Sequence, residues 1–184
     1  MTRGNHHNAI RVLADDYRAM ETVFEELESR QGPPEQRKDL ADHALSEAVR
    51  QWTAEERYVF PEVRRHVPDG GALVRHEIDE HHRIDGLMLD LEAFGPDHPH
   101  FEQKLQQFIE DYRHAVRNER HELVPALQES CSEATLDELG DKLLRAKETA
   151  PTRPHPLASQ TLPAERALMP GAGFINRIRD SIRP

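Results

Sequence analysis

Glu55-Glu-Arg-Tyr-Val-Phe-Pro61 recurs 64 residues later in the chain as Glu119-Arg-His-Glu-Leu-Val-Pro125. In both copies a glutamate precedes a proline by six positions, and an aliphatic residue follows two positions after the proline. A duplication at this distance is typical of two helical hairpins that pack about a shared core. We therefore expect the equivalent polar positions of the two halves to face one another.

The same offset relates Tyr17 to His81 and Gln51 to Ala115. Each pair occupies the middle of an apolar stripe with helical spacing. The two halves hold different side chains at these positions, so a site at the pseudo-twofold axis must be asymmetric.

Apolar residues at three- and four-residue spacing predict four long helices, separated by breaker segments such as Gly32-Pro33-Pro34 and Pro68-Asp-Gly-Gly71. Short connections favour an all-α, up-down-up-down four-helix bundle over residues 1–130. The prolines at 61 and 125 are expected to kink or end the second and fourth helices alike.

Two further segments follow the predicted bundle. Thr135-Leu-Asp-Glu138 matches a capping box, which predicts a short fifth helix packed on the bundle within residues 131–150. Residues 151–184 contain six of the 13 prolines, so we expect an extended tail. The tail ends in a predicted amphipathic helix, which would dock on the acidic bundle or on a second copy of the chain, as in a homodimer.

Charge and composition exclude several classes of function. The chain of 184 residues has a net charge of −10, and because residues 151–184 carry +3, residues 1–150 carry −13. Such a body repels nucleic acid. The single cysteine, Cys131, excludes an intramolecular disulfide. No secretory signal or long apolar run is evident, so we expect a cytoplasmic location without membrane insertion.

Polar side chains at mid-core depth form the candidate site: Tyr17, Gln51, Glu55, Glu77, His81 and Glu119. Buried carboxylates need compensation, and a metal ion is one common solution inside a helical bundle. Alternatively, the side chains form an ordinary hydrogen-bonded core, or Arg57 or Arg120 pairs with the acids. His114 is a weaker metal-ligand candidate, because it precedes Glu119 by five positions and its neighbour Ala115 takes the inward position.

Several motifs resemble the hemerythrin-like, HHE cation-binding family of bacterial proteins. They are Asp16-Tyr-Arg18, Ala54-Glu-Glu-Arg-Tyr-Val-Phe-Pro61, Glu80-His81 and the segment from Glu119 to Pro125. The tail resembles an actinobacterial branch through Glu138-Leu-Gly140, Ala150-Pro-Thr-Arg-Pro-His-Pro156 and Gly171-Ala-Gly173. The resemblance implies a bundle that holds two iron ions through about five histidines and two bridging carboxylates, and that reacts with oxygen, nitric oxide or peroxide.

Carried over by position, the family ligands retained are Glu55, His81 and Glu119. The family histidines replaced are those at Tyr17, Gln51 and Ala115. An amide is a poor iron ligand and a methyl group is none, so the resemblance implies at most one ion. That ion would be iron, manganese or zinc, with Tyr17 and Glu77 as additional ligands.

These substitutions leave the function open between three readings. The first is a degenerate metal site, with one ion or none, in a sensor, scavenger or regulatory module. The second is a metal-free pseudo-hemerythrin that acts as a binding module. The third is a non-haem iron protein that still reacts with oxygen, peroxide or nitric oxide. The loss of ligands disfavours an oxygen carrier, and we expect a role other than catalysis.

Overall fold

The structure is a computed structural model that describes residues 7–149, and these residues form only helices and their connections. The helices are α1 (Ala9–Glu28), α2 (Pro34–Ala54), α3 (Phe60–His66), α4 (Gly70–Ala93), α5 (Phe101–His121), α6 (Leu123–Ser130) and α7 (Glu133–Thr149). A π-helical segment, Glu55–Val59, joins α2 to α3. The predicted all-α class is confirmed, whereas the predicted tail at 151–184 lies outside the described residues.

Four helical columns make up the bundle: α1, α2 with α3, α4, and α5 with α6. Helix α4 packs along α5, α1 packs along α2, and α2 also contacts α4. Helices α1 and α5 share fewer contacts, which leaves a seam between them. Because each column is amphipathic, the apolar stripes meet in one continuous core.

Aromatic rings fill the middle of this core. Phe24 meets Phe108 and Tyr112 edge to face, with centroid distances of 5.9 and 5.2 Å. Trp52 stacks on Tyr112 at 5.6 Å. Such contacts add to the free energy gained by burying the rings, and they fix the positions of the side chains beside them.

The two equivalent prolines are accommodated differently, contrary to the expectation from the repeat. Before Pro61 the backbone widens into the π-helical segment, where the Phe60 N–H donates to the Glu55 carbonyl five residues earlier. Before Pro125 the helix ends instead, and Glu122 takes φ −118° and ψ −62° between α5 and α6. Proline has no N–H to donate, and both the π-helical segment and the helix break avoid the need for that hydrogen bond. Only the π-helical segment keeps the helix continuous.

Helix α7 is longer than the predicted short helix and begins earlier. It starts at Glu133 rather than after Thr135, because the Ser132 hydroxyl accepts a hydrogen bond from the Thr135 N–H at 3.2 Å. The helix lies against α1 and also contacts α2, with Leu139 and Leu143 buried. Helix α7 therefore packs on the outside of α1 and α2.

Candidate functional site

The polar positions singled out in the sequence come together in the core. The side chains come from α1 (Tyr17), α2 (Gln51), the π-helical segment (Glu55), α4 (Glu77 and His81) and α5 (Glu119). None of them is more than 7% exposed. The duplicated hairpin thus places equivalent positions on facing columns, as the repeat predicts.

Gln51 links two of the columns through hydrogen bonds. Its amide Nε2 donates to Oε1 of Glu55 at 2.9 Å, and its amide oxygen accepts from the Tyr112 hydroxyl at 2.5 Å. Both bonds are buried, where a satisfied polar network rigidifies a core. Tyr112, Gln51 and Glu55 therefore form a hydrogen-bonded chain between α5 and the π-helical segment, which we call the amide chain.

The rest of the cluster holds acids without matching donors. Across residues 7–149, the buried oxygens that accept no hydrogen bond include Oε2 of Glu55, both carboxyl oxygens of Glu77 and Oε1 of Glu119. The Tyr17 hydroxyl lies near Glu119 but also makes no hydrogen bond of normal geometry. Unsatisfied groups of this kind indicate a bound proton, an ion or water.

The proposed cationic partners do not reach these acids. Within the described part of the chain, no ion pair joins Arg57 or Arg120 to Glu55 or Glu119. The Arg57 guanidinium instead lies over the Tyr58 ring, 5.0 Å from its centroid. Neither arginine therefore neutralises the cluster as described.

Burial of the acids favours their protonated forms. It raises the pKa of Glu55 well above its usual value, and the nearby charge of Glu119 raises it further. Burial raises the pKa of Glu119 to about 7, although the nearby side chains of Tyr17 and Glu55 oppose the rise. Burial, followed by the charges of Glu119 and Glu122, raises the pKa of Glu77 to about 8.

His81 contributes the one imidazole of the buried cluster. Its ring stacks on Trp52, with the centroids 4.4 Å apart and the planes 15° from parallel, and it lies 6.0 Å from Phe60. His114, the weaker ligand candidate, is outside the cluster: its side chain is more than half exposed, and its Nδ1 lies 3.5 Å from Oε2 of Glu80.

Two members of the site were not identified from the sequence. Tyr112 and Trp52 both lie on predicted apolar stripes, where an aromatic residue is most simply a core residue. A signal for Tyr112 existed, since it lies one helical turn before Ala115, the position equivalent to Gln51.

Both the sequence and the fold of this chain match a known protein family. The family model of the hemerythrin HHE cation-binding domain matches residues 4–127. The chain belongs to the hemerythrin HHE family. A crystal structure of a hemerythrin HHE cation-binding domain-containing protein from Mycobacterium kansasii superimposes with a TM-score of 0.68 and 21% sequence identity, covering 77% of this chain and 85% of that chain. No curated protein gives a significant sequence match.

A pair of iron ions does not fit this hemerythrin-like core. Ala115 offers no donor atom, and both polar atoms of the Gln51 amide are already hydrogen-bonded. Of the residues that the structure describes, no group of three or more His, Cys, Asp and Glu side chains is arranged to hold a metal ion.

No described helix is long and apolar enough to cross a membrane.

The two tyrosines of the site provide a matched pair of variants. Tyr112→Phe should lower the free energy of unfolding by about 1–3 kcal/mol, because it leaves the buried Gln51 amide oxygen without a donor. Tyr17→Phe should change it much less, because the lost hydroxyl makes no hydrogen bond. Urea denaturation of both variants measures the difference. Equal losses would contradict the assignment of the amide chain.

Proposed function

We propose that this HHE-family protein is a pseudo-hemerythrin, a binding or regulatory module whose core works without iron. The amide chain supports this reading. By resemblance, Gln51 takes the place of a metal-binding histidine and Glu55 that of a bridging carboxylate. The Gln51 amide donates directly to the Glu55 carboxyl group, so this contact needs no metal ion. A bundle that needs no metal for its fold keeps the family architecture while its surface and cavities acquire other ligands.

The protonated state of the acids completes this proposal. A neutral carboxyl group is far easier to bury than a carboxylate, so protons replace the cations that the family name implies. Glu55 and Glu119 are close enough for each to shift the pKa of the other. Two facing carboxyls in a dry core share a proton more readily than they ionise together.

One observation favours a second candidate, a single metal ion. The unpaired oxygens of Glu55, Glu77 and Glu119 are hard donors of the type that ferric iron or manganese prefers. These side chains are not arranged around an ion as they stand, so they would have to move to hold one, together with His81 and Tyr17. Zinc is an alternative ion. The module would then act as a sensor or scavenger of oxygen, peroxide or nitric oxide.

Metal analysis of freshly purified protein separates the two candidates. The pseudo-hemerythrin is expected to contain far less than one iron, manganese or zinc ion per chain. Adding these ions should leave its melting temperature unchanged, because a ligand stabilises a fold only when it binds the folded state. A near-stoichiometric ion, or a melting temperature that rises with ion concentration, would refute the metal-free core.

Glu55→Gln tests the same question by an isosteric change. In a metal-free core the variant keeps its shape and removes an acid that must stay protonated, so its stability should be equal or higher at pH 8. In a metal site it would remove a charged ligand, and metal content would fall. Glu129→Gln, at an exposed glutamate of α6, is the control and should change neither quantity.

A further inference from the structure

A cavity of about 260 Å³ opens on the seam between α1 and α5. Four arginines and one acid line it: Arg18 and Glu21 from α1, and Arg113, Arg117 and Arg120 from α5. This concentration of positive charge stands out on a chain whose net charge is −10. Arginine clusters beside a cavity are the usual recognition groups for anions, because the guanidinium fork matches a carboxylate or phosphate.

Two of these arginines already have partners. Arg113 forms ion pairs with Glu21 and Glu28, at 2.6 Å for the Glu28 contact, and Arg18 pairs with Asp15. Arg117 and Arg120, by contrast, take part in none of the ion pairs or hydrogen bonds found within residues 7–149, and both are exposed. Two guanidinium groups at the mouth of the cavity are therefore available to a ligand.

The inner wall of the cavity is apolar and aromatic. Tyr17 and Tyr112 line it and are otherwise buried, and Ala14 and Val116 add aliphatic surface. Glu55 and Glu119 lie behind Tyr17, close enough to interact with its hydroxyl. The rim therefore favours an anionic group, whereas a flat apolar group suits the inner wall.

We propose that the seam between α1 and α5 is a binding site for a small aromatic carboxylate. Its ring lies against Tyr17 and Tyr112, and its carboxylate accepts hydrogen bonds from Arg117 and Arg120. The two oxygens of one carboxylate can accept from both free guanidinium groups, and the aromatic wall and the volume of the cavity suit a single ring. This inference rests on the proposed function, since it names the ligand class of the binding module, but it requires nothing of the metal content.

Titration with benzoate tests the site, measured by calorimetry and by the fluorescence of Trp52, the single tryptophan, which stacks on Tyr112. Benzoate should bind saturably. The double variant Arg117→Gln, Arg120→Gln should weaken binding at least roughly tenfold, since each charged hydrogen bond contributes about that factor. Ala14→Trp, which fills the cavity and keeps all four arginines, should abolish binding.

Controls assign each outcome. Arg64→Gln removes an exposed arginine of α3 that does not line the cavity, and it should bind benzoate like the parent. Benzamide, the neutral analogue, and inorganic phosphate should both bind much more weakly than benzoate. Equal binding of benzamide or of phosphate, an unaffected double variant, or no saturable binding would each overturn the proposal. Metal content is measured on the same preparation, so the proposed function and this site can fail independently.

Discussion

Gly140→Ala is expected to lower the free energy of unfolding by several kcal/mol, more than any surface substitution of similar size. An alanine Cβ at this position would lie 1.4 Å from the carbonyl oxygen of His7 and 2.9 Å from the backbone nitrogen of Ala9. Both atoms belong to backbone that cannot yield as a flexible side chain can. Helix α7 would have to move away from the start of α1, and the burial of Leu143 would be lost.

Urea denaturation of Gly140→Ala and Gly86→Ala measures this effect with a matched control. Gly86 lies inside α4, and its added Cβ would meet no atom within 4 Å. Alanine favours a helix over glycine by about 1 kcal/mol, so Gly86→Ala should be neutral or stabilising. Similar stabilities for the two variants would show that α7 does not dock on α1 as described.

The close approach at Gly140 shows where sequence reasoning ends. In the sequence, Gly140 is recognisable only as part of a motif that resembles one branch of the family. Its physical role depends on the distance between α7 and the residues before α1, more than 130 positions earlier. Helical spacing identifies which residues are buried, but it does not identify which backbone atoms touch.

The bundle itself was predictable because two strong signals agree. The repeat of the Glu55–Pro61 segment fixed two equivalent hairpins, and apolar spacing placed the polar positions on inward faces. The different backbones before Pro61 and Pro125 were not predictable, since a π-helical segment and a helix break both relieve the same clash. Tertiary packing chooses between them.

The membership of the site was predictable, but its hydrogen bonds were not. Comparison of equivalent positions pairs Gln51 with Ala115 and so directs attention away from Tyr112. In the structure the Tyr112 hydroxyl bonds to the Gln51 amide, 61 positions away. The family resemblance suggested Gln51 and Glu55 as ligand positions, whereas the geometry shows that these two side chains hydrogen-bond to each other.

The second large effect concerns pH. Metal-free protein is expected to lose stability progressively as the pH rises from about 5 to about 9. In the unfolded chain a glutamate titrates near 4.3. Folding raises the pKa of Glu119 to about 7 and that of Glu77 to about 8. The folded state therefore binds more protons than the unfolded state across this range, so the free energy of unfolding falls as the pH rises.

Each pKa unit corresponds to about 1.4 kcal/mol, so the buried acids together should account for a loss of several kcal/mol. Glu77→Gln and Glu119→Gln should each flatten the pH dependence. Glu92 contributes separately, because burial and then the charge of Asp42 raise its pKa to about 7. Glu92→Gln therefore serves as a reference, because it removes a carboxyl group that has a raised pKa but lies outside the cluster.

The sign of this dependence also decides between the two proposed functions. A bound metal ion stabilises the carboxylate forms of Glu55, Glu77 and Glu119, which lowers their pKa values and makes metal affinity increase with pH. Metal-loaded protein would then gain stability relative to the unfolded chain as the pH rises through the same range. Urea denaturation from pH 5 to 9, with chelator and with added manganese, measures both curves. If the free energy of unfolding falls with pH in the same way under both conditions, the buried acids are protonated and hold no metal. If it rises with pH only when manganese is present, the single-metal site is established instead.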